Sequence, residues 1–345
     1  MRQLATVQQI KNIKPIPDRD RVDVAQVLGW EVIVGKGQYQ EGDYIIFCEI
    51  DSLFPKIDYW SDLERFKYRI KTFKVNTPDG PIYGQGYCLP LSVLENFDTS
   101  YPREYSIGEE VTQLLGITKY EPPEPATAGM LIGNSKGVFP TQYLPKTDET
   151  RLESCLAVLE EMKDQPYYIS MKIDGSSWSA LKIDNEYIVC SRNNMLKEPT
   201  ESIKSNFWDM FYKYPGIASL LDKGFALQAE IYGEGIQKNH LKITGKALAA
   251  FNIFNIASRK YVDFNTFYDL CIEHEIPSAP ILEIGVKFEH TFESLKKLSD
   301  TLFYDSHKPA EGIVIRPTKE QYSRVLKGRL SFKQISRVFL SKTGE

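Results

Sequence analysis

The chain has 345 residues, 42% of them hydrophobic and 12% aromatic, with 42 Lys and Arg against 46 Asp and Glu and a formal net charge of −4. That length exceeds one ordinary domain, and the apolar content can fill two cores. A mildly acidic body excludes a bulk polycation of the histone kind, so any nucleic-acid site has to be a local basic patch.

Residues 1 to about 120 read as mostly β. VDVAQVLGWEVIVGKG and Tyr44–Ile50 are short strands, with GKGQYQEGD between them as turn material, and another strand is expected from Arg69 to Val75. NTPDG (76–80) is a turn signal, and YGQGYCLPL leads into Leu91 to Leu94. Many short strands with Gly-rich corners predict a small barrel. EPPEPATAG (121–129) is Pro-rich and poor in apolar residues, so it reads as a linker that extends loosely through GNSKGVFP. Beyond it the pattern changes to alternating helices and strands. Thr150-Arg151-Leu152-Glu153 can form a capping box, and Leu152, Cys155, Leu156, Leu159 and Met162 then fall at helical spacing. Strands are expected around 167–173, 177–183, 186–191, 225–232, 249–256 and 312–316, and helices at 201–214, 264–275 and 291–303. The expectation is an α+β chain with an N-terminal barrel at 1–120, a linker at 121–139 and a catalytic-size domain at 140–345.

Cys48, Cys88, Cys155, Cys190 and Cys271 are scattered, with no CxxC pair. Free thiols in a reducing compartment are expected rather than a zinc ribbon or a disulfide framework. MRQLATVQQIKNIKP lacks the apolar core of a signal peptide, and no run approaches the ~18 apolar residues of a membrane span. The cytosol is the expected compartment, with nucleus and organelle left open, and no membrane partner is expected.

Six segments carry candidate chemistry. Lys172-Ile173-Asp174-Gly175 leaves an apolar β-prone stretch, as a nucleophilic lysine does. Such a lysine attacks only when neutral. Its reference pKa near 10.4 makes neutrality at pH 7 cost roughly 4 to 5 kcal/mol, so a low-dielectric pocket, nearby cations or a metal must lower it. Ile169 and Met171 can supply apolar walls. Ser191-Arg192-Asn193-Asn194 ends a strand with a forked donor suited to ribose or phosphate. Glu230, in AEIYGEGIQKN, ends an apolar strand, and a buried acid there needs a hydroxyl, cation or metal as partner. AAFNIFNI (249–256) offers Phe251 and Phe254 for stacking on a base. Glu311 opens the apolar strand EGIVIRP, where its oxygens suit Mg²⁺ through water. Lys333, in LSFKQI, can neutralise charge building up on an α-phosphate. Singly, each segment is also what a surface turn or a packed strand produces. Their order is what carries information.

That order resembles the motif series of the covalent nucleotidyltransferase superfamily: ATP-dependent DNA ligases, RNA ligases and mRNA guanylyltransferases. The resemblance covers roughly 140–336. EIYGEGIQKN, SRNN, AEGIVIRP and PKTDETR (145–151) look like the RNA ligase branch. GDYIIFCEIDSLFP and GQGYCLPLSVL resemble the N-terminal OB domain of RNA ligases that seal 3′-OH ends. DNA ligases and capping enzymes instead carry an OB domain after the catalytic domain. The resemblance implies ATP and Mg²⁺ or Mn²⁺ as cofactors, RNA as partner (a nicked duplex or broken ends), and a monomer. It implies that Lys172 carries AMP, that Asp174, Glu230 and Glu311 serve the metal, that Arg192 and Glu230 hold the ribose, that Phe254 stacks on adenine and that Lys333 meets the α-phosphate. Met171 and Gly175 join the nucleotide-binding set, and Arg151 is expected near the leaving pyrophosphate. One position departs from the family. Ser331 stands where a second basic residue is usual, with Lys327 or Arg329 as substitutes. A DNA ligase, a GTP-using capping enzyme, or an OB-type RNA-binding protein with a decayed catalytic half are the alternatives. Lys67, Arg69, Lys71 and Lys74 are the expected RNA-facing cations of the barrel.

Overall fold

The computed structural model describes residues 3–121, 135–305 and 307–344. All but the first residue of the Pro-rich EPPEPATAG stretch lies outside them. By contacts the chain divides into two compact units: Met1–Pro122 with Thr150–Leu156 and Arg337–Glu345, and Pro123–Glu149 with Ala157–Ser336.

The first unit is a curled antiparallel sheet. Its strands are β1 (Ala5–Pro15), β2 (Val22–Val27), β3 (Trp30–Gly35), β4 (Tyr44–Cys48), the hairpin pair β5 (Thr72–Thr77) and β6 (Gly80–Gln85), and β7 (Tyr87–Pro90). The main sheet runs β3-β2-β1-β4-β7. β1 is long enough to serve two neighbours in succession: Ala5–Gln9 pairs with β4, and Ile10–Pro15 pairs with β2. A register shift between Ile10 and Asn12 turns the strand between them. Such a bulge bends and twists a sheet toward closure. Val7, Ile10, Ala25, Val27, Val32 and Ile46, all buried, fill the inside. The expected turn at 76–80 is the tight β5–β6 hairpin, in which Thr77 pairs with Gly80.

The capping box expected at Thr150 does not form. Thr150–Arg151 is extended, Leu152–Ser154 is a single 3₁₀ turn, and a short helix begins only at Val158. The reason is tertiary. Gly29 N–H donates to the Glu153 carbonyl at 2.9 Å, Trp30 Nε1 donates to Ser154 Oγ at 3.2 Å, and Ser154 donates to Glu49. These bonds claim 152–154 for the first unit, and the helical spacing of Leu152, Cys155 and Leu156 is overridden.

The second unit has, among the described residues, two main antiparallel sheets beside two short two-stranded ribbons. Its strands are β8 (Ser135–Val138), β9 (Tyr167–Lys172), β10 (Ser176–Ile183), β11 (Glu186–Cys190), β12 (Asn194–Leu196), β13 (Phe225–Gly233), β14 (Lys246–Asn255), β15 (Lys260–Tyr261), β16 (Ile281–Gly285), β17 (Gly312–Pro317) and β18 (Phe332–Ile335). Its main helices are α1 (Asn206–Lys213), α2 (Gly216–Asp222), α3 (Phe264–Glu273) and α4 (Phe292–Thr301). β8, inside the stretch read as linker, pairs with β12. The larger sheet runs β8-β12-β11-β10-β13-β14-β15, and the smaller has β18-β17-β9-β16 in that order.

Strand alternation sorts the larger sheet into two faces. Trp178, Ala180, Leu227, Ala229, Ile231 and Ile253 share a core with Phe207, Trp208, Ile217, Leu220 and Phe267 from α1, α2 and α3. Ser177, Ser179, Gln228 and Glu230 alternate with these and face the other way. The smaller sheet supplies Arg316 as a tie between the sheets. Arg316 is 2% exposed. Its guanidinium donates to the Phe251 carbonyl of the larger sheet at 3.0 Å, to Ser331 Oγ at 2.8 Å, to Tyr168 Oη at 3.3 Å and to Glu149 Oε1 at 2.8 Å. Burial alone would push the Glu149 carboxyl up. Arg316, with Lys333 and Arg329 farther off, overrides this and brings it down to about 2.

A carboxylate with a depressed folded-state pKa stabilises the fold above its ordinary range, and that stability is lost as pH falls through the folded value. Acid titration of folding stability is therefore expected to show a loss between about pH 4 and pH 2. Glu149→Gln removes that component and costs about 3 to 5 kcal/mol at neutral pH, because Arg316 stays buried without its counter-ion. Denaturant unfolding of both proteins across this pH range checks it.

Candidate active site

The chain crosses from one sheet to the other at the Lys172 motif. β9, in the smaller sheet, ends at Lys172, and β10, in the larger sheet, starts at Ser176. Only Ile173, Asp174 and Gly175 span the crossing. Gly175 is required by space: a Cβ there would collide with the Ile231 carbonyl oxygen and press on Glu230 Cγ. The missing side chain lets the turn lie against β13 and brings Lys172 toward Glu230.

Register builds the rest. Ser170 pairs with Val314, and Val314 pairs with Lys333. Cross-strand partners share a face, so Lys333 stands on the face that carries Ser170 and, one repeat along β9, Lys172. Lys172 pairs with Gly312, directly after Glu311. Lys172 Nζ donates to Glu311 Oε2 at 2.6 Å, the two side chains being 24% and 17% exposed. Met171 and Ile173 pack with Ala249, Ala279 and Ala310 and supply an apolar wall.

Electrostatics divide the pocket into an acidic end and a basic end. Burial would push the Lys172 ammonium down, but the carboxylates of Glu311, Glu230 and Asp174 prevail and hold it above its ordinary value. Lys172 is thus kept charged, the reverse of what its attack requires. Glu230 is driven to about 8, first by burial and then by Glu311 and Asp174, against the lowering effect of Lys172 and Arg192. A site that raises both its lysine and one of its acids holds an excess of negative charge, which a cation would relieve. Among the described residues no three His, Cys, Asp or Glu side chains converge closely enough to bind a metal directly.

At the basic end Asp148 joins two cations, Arg192 Nη2 at 3.2 Å and Lys333 Nζ at 3.1 Å. Phe254 is 3% exposed and packs with Phe139, Leu144, Leu181, Ile188, Cys190 and Ala226, its ring meeting Tyr261 edge-on at 5.0 Å. The site therefore gathers Met171, Lys172, Asp174, Gly175, Glu230 and Glu311 at one end and Arg192 and Lys333 at the other. Phe254 lies in the adjoining apolar cluster. Arg151 belongs to the other unit, where it is 8% exposed and reaches Asp51 at 3.5 Å.

Neither substitute considered for the missing cation of the last motif is placed for that work. Arg329 is committed to Glu320 and to Asn252 Oδ1 at 2.6 Å, over the Tyr261 ring, and Lys327 is exposed on a turn with φ 51°. Sequence reasoning missed Arg316, the buried cation bonded to Ser331. The signal was there: Arg316 closes EGIVIRP, and a basic residue ending an otherwise apolar strand has to find a partner.

In the first unit, Arg69 is not the phosphate-facing cation expected of it. It is 7% exposed, pairs with Asp51 at 2.7 Å and lies over the Tyr120 ring at 3.7 Å. Lys67 and Lys74 are exposed, and Phe73, 43% exposed, meets Phe66 edge-on at 5.5 Å. The five cysteines are free and buried. Among the described residues no helix is long and apolar enough to cross a membrane.

Two facing sheets, a lysine at the crossing between them and carboxylates around it define a nucleotidyltransferase-type domain, here carried behind a curled OB-type sheet. Residues 165–335 match the RNA ligase family and residues 4–91 match an OB-fold domain. The chain belongs to the RNA ligase family, with its OB domain at the N-terminal side. Three solved structures of Naegleria gruberi RNA ligase are similar over nearly the whole chain. The complex with pyrophosphate is 27% identical, covers 100% of this chain and 99% of that chain, and superposes with a TM-score of 0.83. A lysine-to-alanine variant with ATP and manganese gives 27%, 98% and 98%, and 0.83. A lysine-to-methionine variant with AMP and manganese gives 28%, 99% and 99%, and 0.81. No curated relative matches the chain by sequence.

Glu311→Gln removes the carboxylate in direct contact with Lys172 and leaves burial to act with less opposition. The midpoint for reductive methylation of Lys172, followed against pH by mass spectrometry, is expected to move down relative to the unsubstituted protein. An unchanged or higher midpoint would show that Glu311 does not set the charge of that amine.

Proposed function

We propose that the chain is an ATP-dependent RNA ligase that joins a 3′-OH RNA end to a 5′-phosphate end through a lysyl-AMP at Lys172 and an RNA-adenylate. The observation that carries this reading is Lys172 Nζ at 2.6 Å from Glu311, in the field of Glu230 and Asp174, at a crossing between sheets whose far end holds Arg192 and Lys333.

In the first step Lys172 Nζ, once neutral, attacks the α-phosphorus of ATP. A P–N bond forms, the bond from the α-phosphorus to the bridging oxygen breaks, and pyrophosphate leaves. In the second step an oxygen of the RNA 5′-phosphate attacks the same phosphorus. The P–N bond breaks and the lysine amine is restored. In the third step the RNA 3′-OH loses its proton and attacks the 5′-phosphorus, closing the strand and expelling AMP. All three are in-line displacements at phosphorus, so one charge-stabilising pocket serves each. Lys333 neutralises the α-phosphate, and Arg192 and Glu230 hold the ribose. Phe254 and its apolar cluster receive the adenine. Asp174, Glu230 and Glu311 would hold Mg²⁺ or Mn²⁺, which when bound would offset the negative field of these acids on Lys172. Burial by the surrounding residues works on Lys172 in the direction of the neutral amine. Lys67 and Lys74 with the exposed ring of Phe73 provide RNA contacts in the OB domain.

Lys172→Ala is expected to fold and to take no label from α-³²P-ATP, whereas the unsubstituted protein labels only with ATP and a divalent ion. Labelling of the variant would remove the assignment of the nucleophile. GTP in place of ATP tests for capping chemistry. Nicked duplexes with RNA or DNA on the 3′-OH side separate RNA from DNA sealing. Lys67→Glu combined with Lys74→Glu is expected to weaken binding of nicked RNA at least tenfold at low salt and to leave labelling by ATP unchanged, as filter binding and the same labelling assay will read.

A further inference from the structure

PKTDETR (145–151) resembles the RNA ligase branch, yet the mechanism above uses none of residues 145–149. In the second unit this short stretch reaches the segments that carry Glu230, Arg192, Arg316 and Lys333. The Pro145 carbonyl accepts from Gln228 Nε2 at 2.8 Å, on the strand that carries Glu230. Lys146 Nζ donates to Asn193 Oδ1 at 2.9 Å, beside Arg192. Asp148 Oδ2 meets Arg192 Nη2 at 3.2 Å, and Oδ1 meets Lys333 Nζ at 3.1 Å. Glu149 holds Arg316.

The Asp148 contacts differ in kind from the rest. Arg192 lies in the turn between β11 and β12 of the larger sheet, and Lys333 lies on β18 of the smaller. Each is a cation facing the same space, so each repels the other. A single carboxylate takes one of them on each oxygen. It cancels the repulsion and, because the two oxygens of a carboxylate are fixed relative to one another, it also sets how far apart the cations stand. A guanidinium has five N–H donors and an ammonium three, so one bond to Asp148 exhausts neither. Asp148 and Arg192 are 38% and 41% exposed, so solvent reaches the pair.

We propose that Asp148 is the positioning residue of the basic end of the site: it spaces Arg192, on the ribose, and Lys333, on the α-phosphate, so that both meet the same nucleotide. The proposal rests on the nucleotide reading given above. Asp148 touches no reacting atom and acts through the two cations.

The test uses the full chain with Asp148→Asn and Asp148→Glu, the rate of single-turnover lysyl-AMP formation against ATP concentration, and the thermal midpoint. Asparagine keeps the size, but one of its two polar atoms is a donor and cannot receive the second cation. It is expected to lower the rate at saturating ATP by about tenfold to a hundredfold, as misplaced charge-stabilising groups do, with the thermal midpoint unchanged. Glutamate keeps the charge and both acceptors and is expected to recover most of that rate. A wild-type rate or tighter ATP binding in Asp148→Asn would overturn the proposal, because Asp148 would then be dispensable or in competition with the nucleotide. A rate that falls only together with the thermal midpoint, and is not recovered by glutamate, would overturn it in favour of a purely structural role. If the unsubstituted protein takes no label from ATP, the nucleotide reading itself fails, and that result is separate from either of these.

Discussion

A three-residue crossing between two sheets governs the catalytic unit. Because β9 ends at Lys172 and β10 begins at Ser176, the lysine sits at the one place where the smaller sheet hands the chain to the larger. Gly175 makes so short a crossing possible by lying against the Ile231 backbone without a side chain. Everything chemical follows from that placement. Lys172 gains Glu311, the residue before β17, by pairing with Gly312, and it feels the charge of Glu230 on β13 of the larger sheet. A longer crossing would free the lysine from both acids and also from the apolar wall of Met171 and Ile173.

The charge in this pocket is arranged for an anion that arrives with a cation. At one end the acids Glu311, Glu230 and Asp174 hold the Lys172 ammonium above its ordinary value against burial, and Glu230 itself is raised to about 8. At the other, Arg192 and Lys333 are balanced by Asp148. A nucleotide without a divalent ion would meet repulsion from the acidic end, and an ion without a nucleotide would gain nothing from the basic end. The tie formed by Arg316 lies between these extremes in character: its charge is spent on Glu149, Ser331, Tyr168 and the Phe251 carbonyl, so it holds the sheets together.

Lys172 and Glu311 were legible in the sequence because they stand at strand ends, where an apolar run stops or starts against a polar residue, whereas Glu230 lies inside its strand. Strands expected at 167–173, 177–183, 225–232 and 312–316 are found at Tyr167–Lys172, Ser176–Ile183, Phe225–Gly233 and Gly312–Pro317. The helices at 264–275 and 291–303 appear as Phe264–Glu273 and Phe292–Thr301. Thr150–Met162 misled, because bonds from Gly29, Trp30 and Glu49, more than a hundred residues away, outweigh its local helical spacing. Arg69 misled in the same way. Its neighbours in sequence are exposed basic and aromatic residues, and only the fold supplies Asp51 and Tyr120.

By itself the sequence determined the reaction class and the order of the two domains, and it supplied the residues proposed to carry the chemistry, because these depend on residue types and on their succession along the chain. The tertiary structure alone decided which acids surround Lys172, the pairing of Ser331 with Arg316, the placement of Asp148 between two cations, and which basic residues of the first unit are exposed. Those matters turn on distances between side chains from different strands, and a Coulomb interaction or a hydrogen bond is set by separation in space, which residue spacing along the chain does not encode.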